Sequence, residues 1–221
     1  VTFDLFKKIL NKSNPKILEI GAHWGQDTIR FCKTFENLDI YCFEPCADTL
    51  SILNNVVSKM FILIPEFKGS ITVIEKAVCE KHNKKQIFYR PMRTPEATMR
   101  AENKMNSPDP FHILKKDGWI AGNLFIEGFK DIYLEADGCS LNKINGTSPI
   151  REELVETITL DGWDEQQENE LYDLAWIDVQ GAEKKIIDGA CKTLKKINYV
   201  YVEHSQHNYE NFLSRTETIK I

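Results

Sequence analysis

The sequence predicts an α/β protein in which helices cover both faces of a mostly parallel sheet, a three-layer sandwich. Three observations point there. Short apolar runs of strand length alternate with stretches of helical periodicity along the chain. Residues 17–20 run into Glu19-x-Gly21-x-x-x-Gly25, a turn that opens an amphipathic segment. Residues 174–179 form an apolar run that reaches Asp178, as expected of a central parallel strand buried on both faces.

The elements follow in order. Apolar spacing over residues 3–10 suits a helix, ended before Pro15. Residues 17–20 are the first strand. Thr28, Ile29, Phe31, Cys32 and Phe35 give the next helix one apolar face, and residues 40–43 form a second strand. A helix over 48–57 has Asp48 or Thr49 near its cap and turns Leu50, Leu53, Val56 and Val57 inward. Residues 71–78 read as one strand, 86–89 as an extended piece, and 154–160 alternate like a strand. Over 182–195, Ala182, Ile186, Ala190 and Leu194 repeat at helical spacing. Residues 199–202 make a fifth parallel strand that ends at Glu203-His204.

Between residues 90 and 150 the rhythm breaks. This stretch holds five of the eight prolines and five of the eleven glycines. Its apolar content, including Phe111, Trp119, Phe125 and Phe129, needs burial and argues against a wholly disordered excursion. We expect part of it to form a lid-like cap, inserted into one domain that spans residues 1–221.

Composition removes several classes. At 221 residues, 42% hydrophobic and 28% charged, the chain suits one globular domain. Its net charge of −5, with no large basic cluster, speaks against nucleic-acid binding. No run of 18 apolar residues spans a membrane, and the amphipathic N-terminus lacks a signal-peptide core. Six cysteines without a C-x-x-C pair suggest reduced thiols and a cytoplasmic setting. The first residue is Val1 rather than methionine, so a longer parent polypeptide is expected.

The chemistry starts from the glycine turn. Eighteen residues separate Gly21 from the strand-like residues 40–43, which are capped by Glu44-Pro45. A βαβ unit with glycines at the turn and a carboxylate ending the second strand suits an adenosine-containing ligand, whose ribose hydroxyls the acid accepts. No Gly-x-Gly and no Walker pattern occurs, so neither the dinucleotide nor the phosphate fingerprint is present. No tyrosine is followed four residues later by lysine, which excludes a short-chain dehydrogenase.

Glu19-x-Gly21-x-x-x-Gly25 resembles motif I of class I S-adenosylmethionine-dependent methyltransferases. Three further segments sharpen the resemblance: Thr157-Ile-Thr-Leu-Asp161, Ile177-Asp-Val-Gln-Gly-Ala-Glu183, and Gly189-Ala190 followed by Leu194. Together they resemble the FkbM family over about residues 15–205. Gln180 departs from that family's usual glutamate. The resemblance implies a Rossmann-like fold and methyl transfer from S-adenosylmethionine to a hydroxyl of a saccharide. A non-sugar small molecule, or a cofactor-binding module without catalysis, is the alternative.

By this resemblance the cofactor site comprises Glu19, Gly21, Ala22, His23, Gly25, Thr28, Glu44, Pro45, Cys46, Ala77 and Asp178. Glu44 would hold the ribose, Cys46 and Ala77 would flank the adenine, and His23 would shape the loop. Asp178, Glu203 and His204 are the catalytic candidates, His204 because imidazole titrates near neutrality. The same three could bind Mg²⁺, although a metal-free reaction is the expectation.

Overall fold

The computed structural model describes residues 3–91, 139–143, 150–168 and 170–203. Helix α1 (Phe3–Leu10) leads into β1 (Lys16–Ile20). Then come α2 (Gln26–Thr34), β2 (Asp39–Phe43), α3 (Ala47–Ser58), α4 (Met60–Leu63) and β3 (Ser70–Ile74). Strands β4 (Ala77–Val78), β5 (Lys84–Pro91) and β6 (Ile150–Ile158) follow, then α5 (Leu160–Asp164) and β7 (Tyr172–Ile177). Helix α6 (Glu183–Asp188), a 3₁₀ turn (Thr193–Lys196) and β8 (Ile197–Val202) complete the described chain.

Five strands form the main sheet in the order β3-β2-β1-β7-β8, and every pairing is parallel. The pattern of side chains explains why β1 and β7 are central. Alternate residues of each feed opposite faces, so both faces must be apolar. On one face Ile17, Ile40, Cys42, Leu174 and Trp176 pack with Phe6 of α1 and with Ile29, Phe31 and Cys32 of α2. On the other, Leu18, Ile20, Phe43, Ala175 and Ile177 pack with Trp163 and Ile186. Trp176 stacks on Tyr201 at 4.1 Å between ring centroids, and Phe6 and Phe31 meet Trp176 edge-on.

Three expectations are corrected. The strand expected over 71–78 is two: β3 ends at Ile74, and Ala77–Val78 leave to pair with Thr157 and Ile158 in a second sheet ordered β4-β6-β5. The cause is a tight turn in which Lys76 N–H donates to Ile74 O at 2.9 Å while Glu44 N–H donates to the same oxygen. The helix expected over 182–195 stops at Asp188. Gly189 lies against the backbone of Cys79, where an added Cβ would stand 2.3 Å from the carbonyl oxygen, and the chain passes into the 3₁₀ turn. Leu160 belongs to α5, not to the strand before it, because Thr159 caps that helix by accepting from Gly162 N–H.

The inserted stretch also gains sharper limits. Arg90 and Pro91 end β5 and Ile150 begins β6, with Pro91 opposite Ile150 in antiparallel register. The insertion therefore connects two paired strands of the second sheet. Residues 92–138 and 144–149 of the expected cap lie outside the described residues. No described helix is long and apolar enough to cross a membrane.

Candidate active site

From β1 the sheet continues to β2 on one side and to β7 on the other, so the chain reverses its order at β1. In open α/β sheets this is where a crevice opens beyond the carboxyl ends of the strands. A cavity of about 230 Å³ lies there. Its wall runs from Glu19 through His23, takes in Gln26 and Asp27, and continues to Glu44 and Pro45. Lys76–Val78, Phe88, Cys139, Leu141 and Asp178–Gln180 close the other side.

Glu44 is buried, and protein donors occupy most of it. Oε1 accepts from Cys46 N–H and Thr49 Oγ1, each at 2.9 Å, while Oε2 accepts from His23 N–H at 2.9 Å. Three of about four acceptor positions are thus filled, and Oε2 keeps the free one. Burial raises its pKa, against the opposing effects of His23 and these hydrogen bonds. The bond to His23 ties the turn after β1 to the end of β2, so the two halves of the expected ligand clasp meet.

Glu19 lies deeper. Its Oε2 accepts from Thr28 Oγ1 at 2.7 Å and from Cys42 Sγ at 3.3 Å, and burial pushes its pKa to about 8. Asp178, at the end of β7, is pushed up to about 8 as well, first by burial and then by its hydrogen bond with Glu203. Gln180 Nε2 donates to Asp178 Oδ1 at 2.6 Å and works in the opposite direction. Burial also raises the pKa of Asp27, with the charge of Glu203 adding to the effect.

The cavity wall includes eight of the expected cofactor residues: Glu19, Gly21, Ala22, His23, Glu44, Pro45, Ala77 and Asp178. Gly25, Thr28 and Cys46 stand behind it. Thr28 is fully buried against Glu19, and Cys46, just before α3, turns its N–H to Glu44. The glycines also have a packing role that the motif did not suggest. A Cβ on Gly21, at φ 91°, would stand 1.9 Å from the Asp178 carbonyl oxygen. One on Gly25, at φ 92°, would stand 3.0 Å from Leu53 Cδ1. At both positions the absent side chain makes room for chain-to-chain packing, and Gly21 lines the cavity as well. Glu203 is exposed beside Asp178 and does not line the cavity, and His204 lies outside the described residues.

Sequence reasoning missed Gln26, Asp27, Phe88, Leu141 and Gln180 as wall residues. Gln26 and Asp27 read as an ordinary first helical turn; their place directly after Gly25 was the available signal. Gln26 Oε1 is buried and lacks a hydrogen-bond partner among the described residues. Among the described residues, four carboxyl groups and this orphaned acceptor, against Lys76 as the single lysine or arginine of the wall, suit a ligand that brings positive charge and hydrogen-bond donors. Among the described residues no three His, Cys, Asp or Glu side chains are grouped to hold a metal.

Residues 19–219 match the family described as the methyltransferase FkbM domain. The chain belongs to this family. It is 26% identical over 213 residues to the 2-O-methyltransferase NoeI of Sinorhizobium fredii (strain NBRC 101917 / NGR234), covering 93% of this chain and 70% of that protein. The crystal structure of methyltransferase FkbM from Methylobacillus flagellatus KT resembles it with a TM-score of 0.45 at 12% identity. That match takes in 87% of this chain and 33% of the other, so the chain spans about a third of that protein's length. The FkbM segment 177–183 is the turn that carries Asp178 and Gln180 into the cavity, and the segment 157–161 joins β6 to α5.

Proposed function

We propose that this FkbM domain transfers a methyl group from S-adenosylmethionine to a hydroxyl of a saccharide. The observation that carries the reading is the acid-walled cavity at the sheet's switch point, clasped by the turn after β1 and by Glu44. The donor supplies a methyl on a positively charged sulfur, and the chain's carboxylates compensate that charge. Glu44 Oε2, with one protein donor, receives a ribose hydroxyl. Gln26 Oε1 and Asp27 accept from the ammonium end. Asp178 takes the proton of the acceptor hydroxyl as its oxygen bonds to the methyl carbon and the carbon–sulfur bond breaks.

A base with pKa of about 8 is well matched to that task near neutral pH. The saccharide acceptor rests on the FkbM resemblance, and the relative named a 2-O-methyltransferase supports oxygen as the attacking atom. Incubating candidate oligosaccharides with isotope-labelled S-adenosylmethionine, with and without EDTA, tests the reading by mass spectrometry. One labelled methyl gained per acceptor, unaffected by EDTA, is expected. Transfer abolished by EDTA would instead bring Asp178, Glu203 and His204 forward as Mg²⁺ ligands.

A further inference from the structure

Two consecutive residues after β7 hold the left-handed conformation, Gln180 at φ 52° and Gly181 at φ 93°. Glycine adopts it freely, but a glutamine holds it only where its surroundings impose it. Those surroundings are residues 139–142. Ser140 exchanges both backbone hydrogen bonds with Tyr89 of β5, which anchors the segment. From there Ser140 Oγ donates to Val179 O at 3.2 Å, and Asn142 Nδ2 donates to Gly181 O. Lys185 Nζ donates back to Leu141 O at 3.0 Å, and Glu183 Oε1 accepts from Gly181 N–H at 2.9 Å. Ser140 and Asn142 are both buried. The turn is therefore gripped from both ends, and the grip sets the contact of Gln180 Nε2 with Asp178 Oδ1.

We propose that Asn142 and Gln180 are positioning residues for Asp178. Asn142 fixes the turn through the Gly181 carbonyl, and Gln180, held left-handed, aims the Asp178 carboxylate into the cavity. The proposal deepens the methyl-transfer reading and rests on it, because it takes the cavity to be the methyl-donor site.

Calorimetric titration with two probes tests it. S-adenosylhomocysteine is neutral at sulfur, whereas sinefungin carries a protonated amine at the corresponding place. In Asn142→Ala and in Gln180→Met, sinefungin affinity is expected to fall roughly 5- to 30-fold, the worth of a charge-assisted contact. S-adenosylhomocysteine affinity should change less than about twofold. The double variant should be no weaker than the worse single variant, since both side chains act through one carboxylate. Equal losses for both probes would mean that the turn only holds the cavity together. Additive losses, or none, would mean that the two residues do not act through Asp178. Each of these overturns the proposal while leaving the cofactor reading intact. Failure of the unmodified protein to bind either probe would sink that reading and the proposal with it. Should Asn142→Ala not fold, Gln180→Met decides alone, because its side chain lines the cavity and not the core.

Discussion

Glu19 is a buried carboxyl group, and its pKa of about 8 has a direct consequence for stability. The ordinary glutamate value is 4.5, so the folded protein holds this proton more tightly than the unfolded chain. The stabilising contribution is complete below the unfolded value and is lost as pH rises through about 8. Glu19→Gln keeps the shape and cannot ionise. Relative to this variant, the thermal midpoint of the unaltered protein should decline between about pH 5 and 8 and then run parallel; a constant difference over that range would refute the assignment. Asp178 bears on ligand binding in the opposite sense. A cationic ligand favours the ionised carboxylate, so S-adenosylmethionine should bind more tightly as pH rises toward about 8, and S-adenosylhomocysteine less so. Calorimetry across that range reads both. Glu44→Ala removes the ribose acceptor and the bond to His23 together, and should weaken S-adenosylhomocysteine binding by about 1–3 kcal/mol. Unchanged affinity would take Glu44 out of the site.

At the scale of elements, what matters is how closely the turn after β1 presses on the end of β7. Gly21→Ala forces a Cβ into the Asp178 carbonyl, and a backbone oxygen cannot swing aside as a side chain can. A loss of roughly 2–4 kcal/mol in stability is expected, together with loss of cofactor binding. Gly25→Ala meets only the end of the Leu53 side chain but still bears the positive φ, so a smaller loss of about 1–2 kcal/mol should appear in denaturant unfolding. If Gly25→Ala were the more damaging, the packing argument for Gly21 would be wrong. Gly189 plays the same part between α6 and β4, and this is why a helix of good apolar periodicity stops short. Periodicity reports which side chains want burial; it does not report that another segment's backbone needs the space.

For the molecule as a whole, the arrangement couples ligand to fold. The cavity wall draws on both sheets, on the turns after β1 and β7, and on the strand ends that carry Glu44 and Asp178. A ligand that spans them binds the native state alone, so S-adenosylmethionine at about 100 times its Kd should add ~2.7 kcal/mol of stability. A melting temperature that does not move at saturating ligand would contradict that. The raised pKa values of Asp27 and Asp178 show that the ligand-free fold disfavours their ionisation, and a bound cation favours it.

The sequence by itself determined the parallel α/β architecture, the family, and the places where acids meet strand ends. Those are local matters: side-chain period, glycine at turns, and a polar residue where an apolar run stops. The tertiary structure decided the rest. It split one expected strand between two sheets, put Gly25, Thr28 and Cys46 behind the wall, and brought Gln26, Phe88 and Leu141 onto it. It also set residues 139–142 against the turn after β7, across nearly forty residues of sequence. Contacts of that kind depend on register and on the close approach of backbones, and neither leaves a periodic trace along the chain.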